Sequence, residues 1–178
     1  MQLARFQAPQ AAEVQALFAS TFADAEGPAE GERVGCLVRH LMADTDPRDC
    51  LGVVAMEKGR VVGSLFFSRL TFDAPVEAFL LSPVAVQPDH QGQGIGQRLI
   101  RFGLERLKER GVTRVFTYGD PAFYSRVGFT PVAESTVSPP FRLSQPEGWL
   151  GQALEGHEMT ALAGVPRCVT AFDDPAYW

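Results

Sequence analysis

The sequence predicts a mixed α/β domain of the α+β kind. Apolar residues recur at helical spacing twice before residue 45, and two β-branched and aromatic runs then flank Lys58-Gly59. A glycine-rich stretch, Gln91 to Gly96, opens a further amphipathic helix that a strand follows. The 178 residues, 46% hydrophobic, can bury roughly two thirds of their unfolded surface around one core, so residues 1–178 are read as a single domain.

In chain order, Leu3 to Phe6 is a short apolar strand, and Val14, Leu17, Phe18 and Phe22 mark a helix over 11–23. The acidic, glycine-containing residues from Asp24 to Glu32 read as a loop, and Val34, Leu37, Val38, Leu41 and Met42 as a second helix ending near Ala43. Leu51 to Met56 and Val61 to Phe72 form a hairpin across Lys58-Gly59, and Val76 to Val86 continues the sheet. A helix over 94–110, a strand over 114–118, a short helix over 122–127 and a strand over 129–133 follow. The proline-rich remainder carries one legible strand, Trp149 to Leu154.

Composition narrows the function classes. No apolar run reaches the 18 residues of a membrane span, and the N-terminus lacks the basic and apolar regions of a signal peptide, so a cytoplasmic protein without a membrane role is expected. Cys36, Cys50 and Cys168 stand far apart with no C-x-x-C spacing, which reads as free thiols. No histidine pair has metal spacing, and no metal is expected. A net charge of −5 without a basic cluster argues against nucleic acid and for a small molecule or peptide as partner.

At about 100° per residue, Ile95, Leu99, Ile100, Phe102, Gly103, Leu104 and Leu107 share one arc of the helix after the glycines. Arg106 intrudes on that arc and needs a partner or a path to solvent. Gly111 supplies the stop, behind a last turn holding Lys108 and Arg110. The start is different. No Ser, Thr, Asp or Asn from Gln91 to Gly96 caps the first amides, and no acid stands in the first turn. Those donors suit an anion such as phosphate, which Gly92, Gly94 and Gly96 allow to approach closely. No G-K-[ST] follows, which excludes a Walker loop, and Gln97 stands where the third glycine of a dinucleotide fingerprint belongs.

What remains is Q-x-x-G-x-G. Leu81-Ser82-Pro83-Val84-Ala85-Val86-Gln87-Pro88-Asp89-His90-Gln91-Gly92-Gln93-Gly94-Ile95-Gly96 resembles the acetyl-CoA-binding motif of the GNAT superfamily of N-acetyltransferases. Gln91, Gly94 and Gly96 fit its signature, and Val84, Val86 and Pro88 fit the approach to it. The resemblance implies a central mixed, mostly antiparallel sheet of about seven strands, flanked by helices and splayed at the acetyl-CoA site. It implies that backbone amides of Gln91, Gly92, Gln93, Gly94, Ile95 and Gly96 hold the pyrophosphate. Backbone groups of Val84, Ala85 and Val86 would pair with the pantetheine arm. Pro83, which has no N–H to give a ladder, agrees with a strand that bulges or splays there.

Tyr124-Ser125-Arg126-Val127-Gly128-Phe129 resembles the superfamily's Y-x-x-x-G-F segment, whose tyrosine faces the CoA sulfur. On that match Tyr124 is a cofactor contact and the general acid. A thiol with pKa near roughly 8.5 leaves more readily when a phenol, near roughly 10, hydrogen-bonds or protonates it. Gly119-Asp120-Pro121 departs from the commoner pattern and resembles a subgroup of small bacterial acetyltransferases with G-D-P-x-[FY]-Y. The base that deprotonates the amine is Glu77 by the same resemblance, with Asp73, Asp120 and water as alternatives. Asp120 also fits a helix cap ahead of Pro121. The loops 24–32 and 135–148 would border the acceptor in this fold. The implied activity is transfer of acetyl from acetyl-CoA to a primary amine by direct attack. The alternative is a non-catalytic acyl-CoA-binding or sensing module. Homodimers, frequent in the superfamily, are implied as well.

Overall fold

The computed structural model describes residues 1–178. Seven strands form one open sheet in the order β1-β2-β3-β4-β5-β7-β6. They are β1 (Gln2–Arg5), β2 (Cys50–Glu57), β3 (Arg60–Leu70), β4 (Ala78–Val86), β5 (Arg114–Tyr118), β6 (Thr130–Pro131) and β7 (Trp149–Ala153). The helices are α1 (Ala11–Glu26), α2 (Pro28–Ala43), α3 (Ile95–Glu109) and the single turn α4 (Pro121–Tyr124). The chain divides into two compact units, residues 1–67 with 83–103 and residues 68–82 with 104–178.

In the first unit, β1 runs antiparallel to β2, from Gln2↔Met56 to Arg5↔Val53. The β2–β3 turn is made by Lys58 (φ 50°) and Gly59 (φ 76°), the two successive positive values that a tight hairpin needs. Phe18, fully buried, links Phe22 and Phe66 in one aromatic row under α1. The loop expected over Asp24–Glu32 is not there. Helix α1 continues to Glu26, Gly27 alone turns the chain (φ 100°, ψ 163°), and Pro28 starts α2. The pairing of the two helices accounts for this. A Cβ on Gly31 would lie 2.5 Å from the Ala19 carbonyl oxygen and 2.6 Å from the Ala23 Cβ, so the backbones approach closely only because Gly31 is bare.

The buried arc of α3 is as the periodicity reads it, with Leu99, Ile100 and Leu107 fully buried. Gly63 on β3 gives it room, since a Cβ there would meet Leu99 at 3.0 Å and Ile95 at 3.3 Å. Arg106 finds its partner in Glu109, Nε to Oε2 at 3.1 Å.

In the second unit, β4 and β5 run parallel from Ala78↔Arg114 to Leu81↔Thr117. β5 pairs antiparallel with β7 from Arg114↔Ala153 to Tyr118↔Trp149. Trp149 is the centre of this core: fully buried, stacked on Phe116 at 5.2 Å, and donating from its indole to the Val137 carbonyl at 2.9 Å. The short helix expected over 122–127 is α4 followed by a 3-10 turn, Ser125–Val127. The strand expected over 129–133 shrinks to Thr130–Pro131; the Val132 amide still donates to the Trp149 carbonyl in register with that ladder, and the chain then turns at Ala133, whose carbonyl accepts the amides of Thr136 and Val137. Beyond β7 the chain is held by bridges, Val137↔Leu162 and Thr71↔Arg167, rather than by strands. It closes on Trp178, whose indole donates to Phe172.

Candidate active site

The glycine-rich stretch lies wholly in the first unit. After β4 the chain makes a 3-10 turn over Pro88–His90, then an exposed loop over Gln91–Gly94, then α3. Gly92 (φ 76°) and Gly94 (φ 78°) hold left-handed conformations, and a Cβ on either would meet nothing within 4 Å. These glycines are therefore required by the backbone turn and leave open space beside it. The helical ladder begins with the Arg98 amide on the Gly94 carbonyl at 3.1 Å. The amides of Ile95, Gly96 and Gln97 stand ahead of it, at the positive end of a 15-residue helix with no acidic residue in its first turn. Amides, open space and the exposed Arg98 suit an anion.

The loop is tied down by side chains of its own and by groups on β2 and β3. The Gln87 amide donates to the Val62 carbonyl at 2.9 Å, and its side chain to the Val61 carbonyl at 3.2 Å. His90 Nε2 lies 2.8 Å from a Glu57 carboxylate oxygen. Gln91, whose place in the motif is at the phosphate loop, uses its side-chain amide to reach back to the Val86 carbonyl at 2.9 Å. The structure thus already occupies one of the backbone groups expected to pair with pantetheine. Val84 and Val86 are half-buried and Ala85 is buried.

Tyr124 lies in the second unit, at the end of α4. Asp120 caps that turn, accepting the Ala122 amide at 2.9 Å. The Tyr124 ring rests edge-on against Phe123 at 5.0 Å and Phe129 at 5.7 Å. The residue is half-buried, and Thr117 and Asp120 are the groups that act on its phenol. Burial pushes the phenol's pKa up; the Thr117 hydrogen bond opposes this, and the negative charge of Asp120 adds to it. Thr117 in turn donates to the Leu81 carbonyl at 2.8 Å, where the β4–β5 pairing ends and Pro83 is two residues away. Thr117 was not singled out in the sequence, where nothing but strand alternation marks it.

The candidate bases are scattered. Glu77 stands just before β4, four residues back along the strand from Leu81, roughly 13 Å at about 3.3 Å per residue. Its carboxylate pairs with Arg69, and its carbonyl accepts the amides of Thr113 and Arg114. It makes no hydrogen bond or ion pair with Tyr124. Asp73 is exposed and lies 3.7 Å from Arg167. Asp120 is the carboxylate whose charge reaches the Tyr124 phenol. The three cysteines form no disulfide, and burial pushes the Cys168 thiol up to about 11, so little of it is thiolate at neutral pH.

Comparison with known proteins sets this geometry in context. The family model for the acetyltransferase (GNAT) domain matches residues 48–131. YjhQ of Escherichia coli K-12, described as an uncharacterized N-acetyltransferase, is 37% identical over 138 residues, covering 74% of this chain and 76% of its own. Among solved structures, the GNAT family N-acetyltransferase YhbS of Escherichia coli in complex with CoA superposes with a TM-score of 0.81. It is 27% identical and covers 97% of this chain and 92% of that one. A GNAT family acetyltransferase from Brucella melitensis, in complex with acetyl-CoA, gives a TM-score of 0.71 at 30% identity over 97% of both chains.

Proposed function

Because this chain belongs to the GNAT family of N-acetyltransferases, we propose that it moves acetyl from acetyl-CoA to a primary amine of a small molecule or peptide by direct attack, with Tyr124 as acid. We read residues 1–178 as one such domain and place it with the small bacterial members carrying G-D-P-x-[FY]-Y, on Gly119-Asp120-Pro121-Ala122-Phe123-Tyr124. The free thiols suit the reducing cytoplasm, and no helix is long and apolar enough to cross a membrane.

The observation that carries the mechanism is the place of Tyr124, at the end of α4 with its ring held edge-on by Phe123 and Phe129 and its phenol beside Thr117. A phenol, whose ordinary pKa is near roughly 10, is protonated at neutral pH, the form an acid must have. In the reaction the amine lone pair attacks the thioester carbonyl carbon, the carbon–sulfur bond breaks, and the departing thiolate takes the Tyr124 proton. The amides at the start of α3 supply the pyrophosphate seat, where charge-assisted bonds contribute roughly 1.5 to 3 kcal/mol each. The backbone of Val84 to Val86 holds the pantetheine arm, with the Val86 carbonyl freed when Gln91 lets go of it. The substrate ammonium first gives a proton to water to free the attacking lone pair, Glu77 being paired with Arg69, and after attack the surplus proton on the acylated nitrogen returns through water to the Tyr124 phenolate. The carboxylate of Asp120 favours a cationic acceptor.

Calorimetry with acetyl-CoA and thiol release from a panel of spermidine, lysine and short peptides test the reading. The Tyr124→Phe variant is expected to bind CoA as the wild type does and to lose about 10²- to 10⁴-fold in kcat. Equal turnover removes Tyr124 as the acid. Binding unaffected by Gly94→Val with Gly96→Val removes the phosphate seat. Loss of the acidic limb of kcat/KM in Glu77→Gln returns the base to Glu77. CoA binding with no thiol release from any amine leaves the sensing module.

A further inference from the structure

We propose that Gly119 is a positioning residue for acetyl transfer. Its bare Cα lets the Tyr124 ring sit against the end of β5, and the loop 144–148, wrapped round Tyr118, fixes that peptide. The inference rests on Tyr124 being the acid and asks what holds its hydroxyl in place.

A Cβ on Gly119 would stand 2.7 Å from Tyr124 Cε2, 3.4 Å from Cδ2 and 3.6 Å from Cζ. Carbon atoms pack at about 3.5 to 4.0 Å, so the ring would have to retreat by roughly 1 Å. Phe129, which is 1% exposed, meets the ring edge-on, so a shifted ring loses or strains that contact. The glycine is not demanded by the backbone. Gly119 is absent from the positions of positive φ, so alanine fits its conformation and only the tyrosine ring excludes it.

The peptide itself is clamped. The Gly119 amide donates to the Gly148 carbonyl at 3.0 Å. Gly148 is bare for a matching reason: a Cβ there would lie 3.0 Å from the Gly119 oxygen and 3.2 Å from the Tyr118 ring. Tyr118 then anchors the loop from the other side, accepting the Gln145 amide at 2.7 Å and sharing a 2.9 Å hydrogen bond with Ser144 Oγ. Two glycines joined by one hydrogen bond, with one phenol holding the loop, thus set where the other phenol ends. A misplacement of about 1 Å at a reacting group costs on the order of 10²-fold in rate. Gly119 therefore acts on the rate through Tyr124.

The test is a double-variant cycle of Gly119→Ala and Tyr124→Phe, with kcat and KM for acetyl-CoA measured on the best amine of the panel and CoA affinity by calorimetry. Gly119→Ala is expected to lose about 10²-fold in kcat while KM for acetyl-CoA stays within about threefold. In the double variant the loss is that of Tyr124→Phe alone, because without the hydroxyl there is nothing left to misplace. A Gly119→Ala enzyme with wild-type kcat overturns the inference and leaves Tyr124 untouched. Losses that multiply overturn it too, since Gly119 would then act by another route. A wild-type rate in Tyr124→Phe instead removes the acid on which the inference rests. If Gly119→Ala binds no CoA, Tyr118→Phe carries the test. It leaves the ring and releases Ser144 and Gln145, and a severalfold lower kcat with CoA affinity kept is expected; an unchanged kcat overturns the proposal.

Discussion

The phenol of Tyr124 and the carboxylate of Glu13 are shifted in opposite directions, and both shifts reach an observable. For Tyr124 burial is the largest effect and raises the pKa above its ordinary 10, so the protonated phenol persists through the pH range in which a solvated tyrosine ionises. The basic limb of the kcat–pH profile is accordingly expected above pH 10 in the wild type and is expected to vanish in Tyr124→Phe. Glu13 is lowered from 4.5, first by the hydrogen bond from Arg60 Nε at 2.9 Å and then by that from the Val61 amide at 3.0 Å. A depressed carboxylate adds stability that is present above its unfolded pKa and is lost as pH falls through the folded one. Glu13→Gln should therefore lower Tm at neutral pH and converge on the wild type below pH 4.5, measured by thermal melts across that range. Tyr124 was legible because its spacing to Gly128-Phe129 is a sequence pattern. Thr117 and Gly119 were not, since their roles are contacts made only once β5, the turn and α4 are folded.

At the scale of elements, apolar periodicity found α1, α2, α3 and the β2–β3 hairpin, because each buries one face against the sheet or a neighbour. It failed over Asp24–Glu32, where the residues are charged or small and carry no periodic signal. There the helical conformation comes from the contact of α1 with α2, in which Gly31 and Gly35 meet Ala19 and Ala23. The two glycines are not equivalent. A methyl at Gly31 strikes the Ala19 carbonyl oxygen, part of a helix that cannot yield, whereas one at Gly35 meets only the Ala19 methyl, at 3.1 Å. Alanine also gains about 0.5 to 1 kcal/mol over glycine inside a helix. Gly31→Ala is thus expected to cost roughly 1 to 3 kcal/mol. Gly35→Ala is expected to be within about 1 kcal/mol of neutral, as the helix gain offsets the tight contact. Urea midpoints at unchanged m-value measure both.

For the whole molecule, the divisions between the two compact units fall at 67/68, 82/83 and 103/104, which lie inside β3, β4 and α3. Independent domains are joined through exposed linkers, and a strand or helix cut at such a point would lose ladder bonds on both sides. The glycine motif and the Tyr124 segment were each readable in sequence, but the residues that hold them were not, because Glu57, Val61 and the 144–148 loop come from distant parts of the chain. The connectivity predicts a single cooperative transition. Leu41, 1% exposed, belongs to the first unit and Trp178, 6% exposed and packed on Tyr118, Trp149 and Phe172, to the second. Leu41→Ala should cost about 2 to 5 kcal/mol and Trp178→Ala about 3 to 5. If the chain unfolds as one body, each variant moves one calorimetric peak as a whole, with calorimetric and van't Hoff enthalpies still equal. Splitting of the peak in either variant, with one part left at the wild-type temperature, would show two bodies that unfold separately.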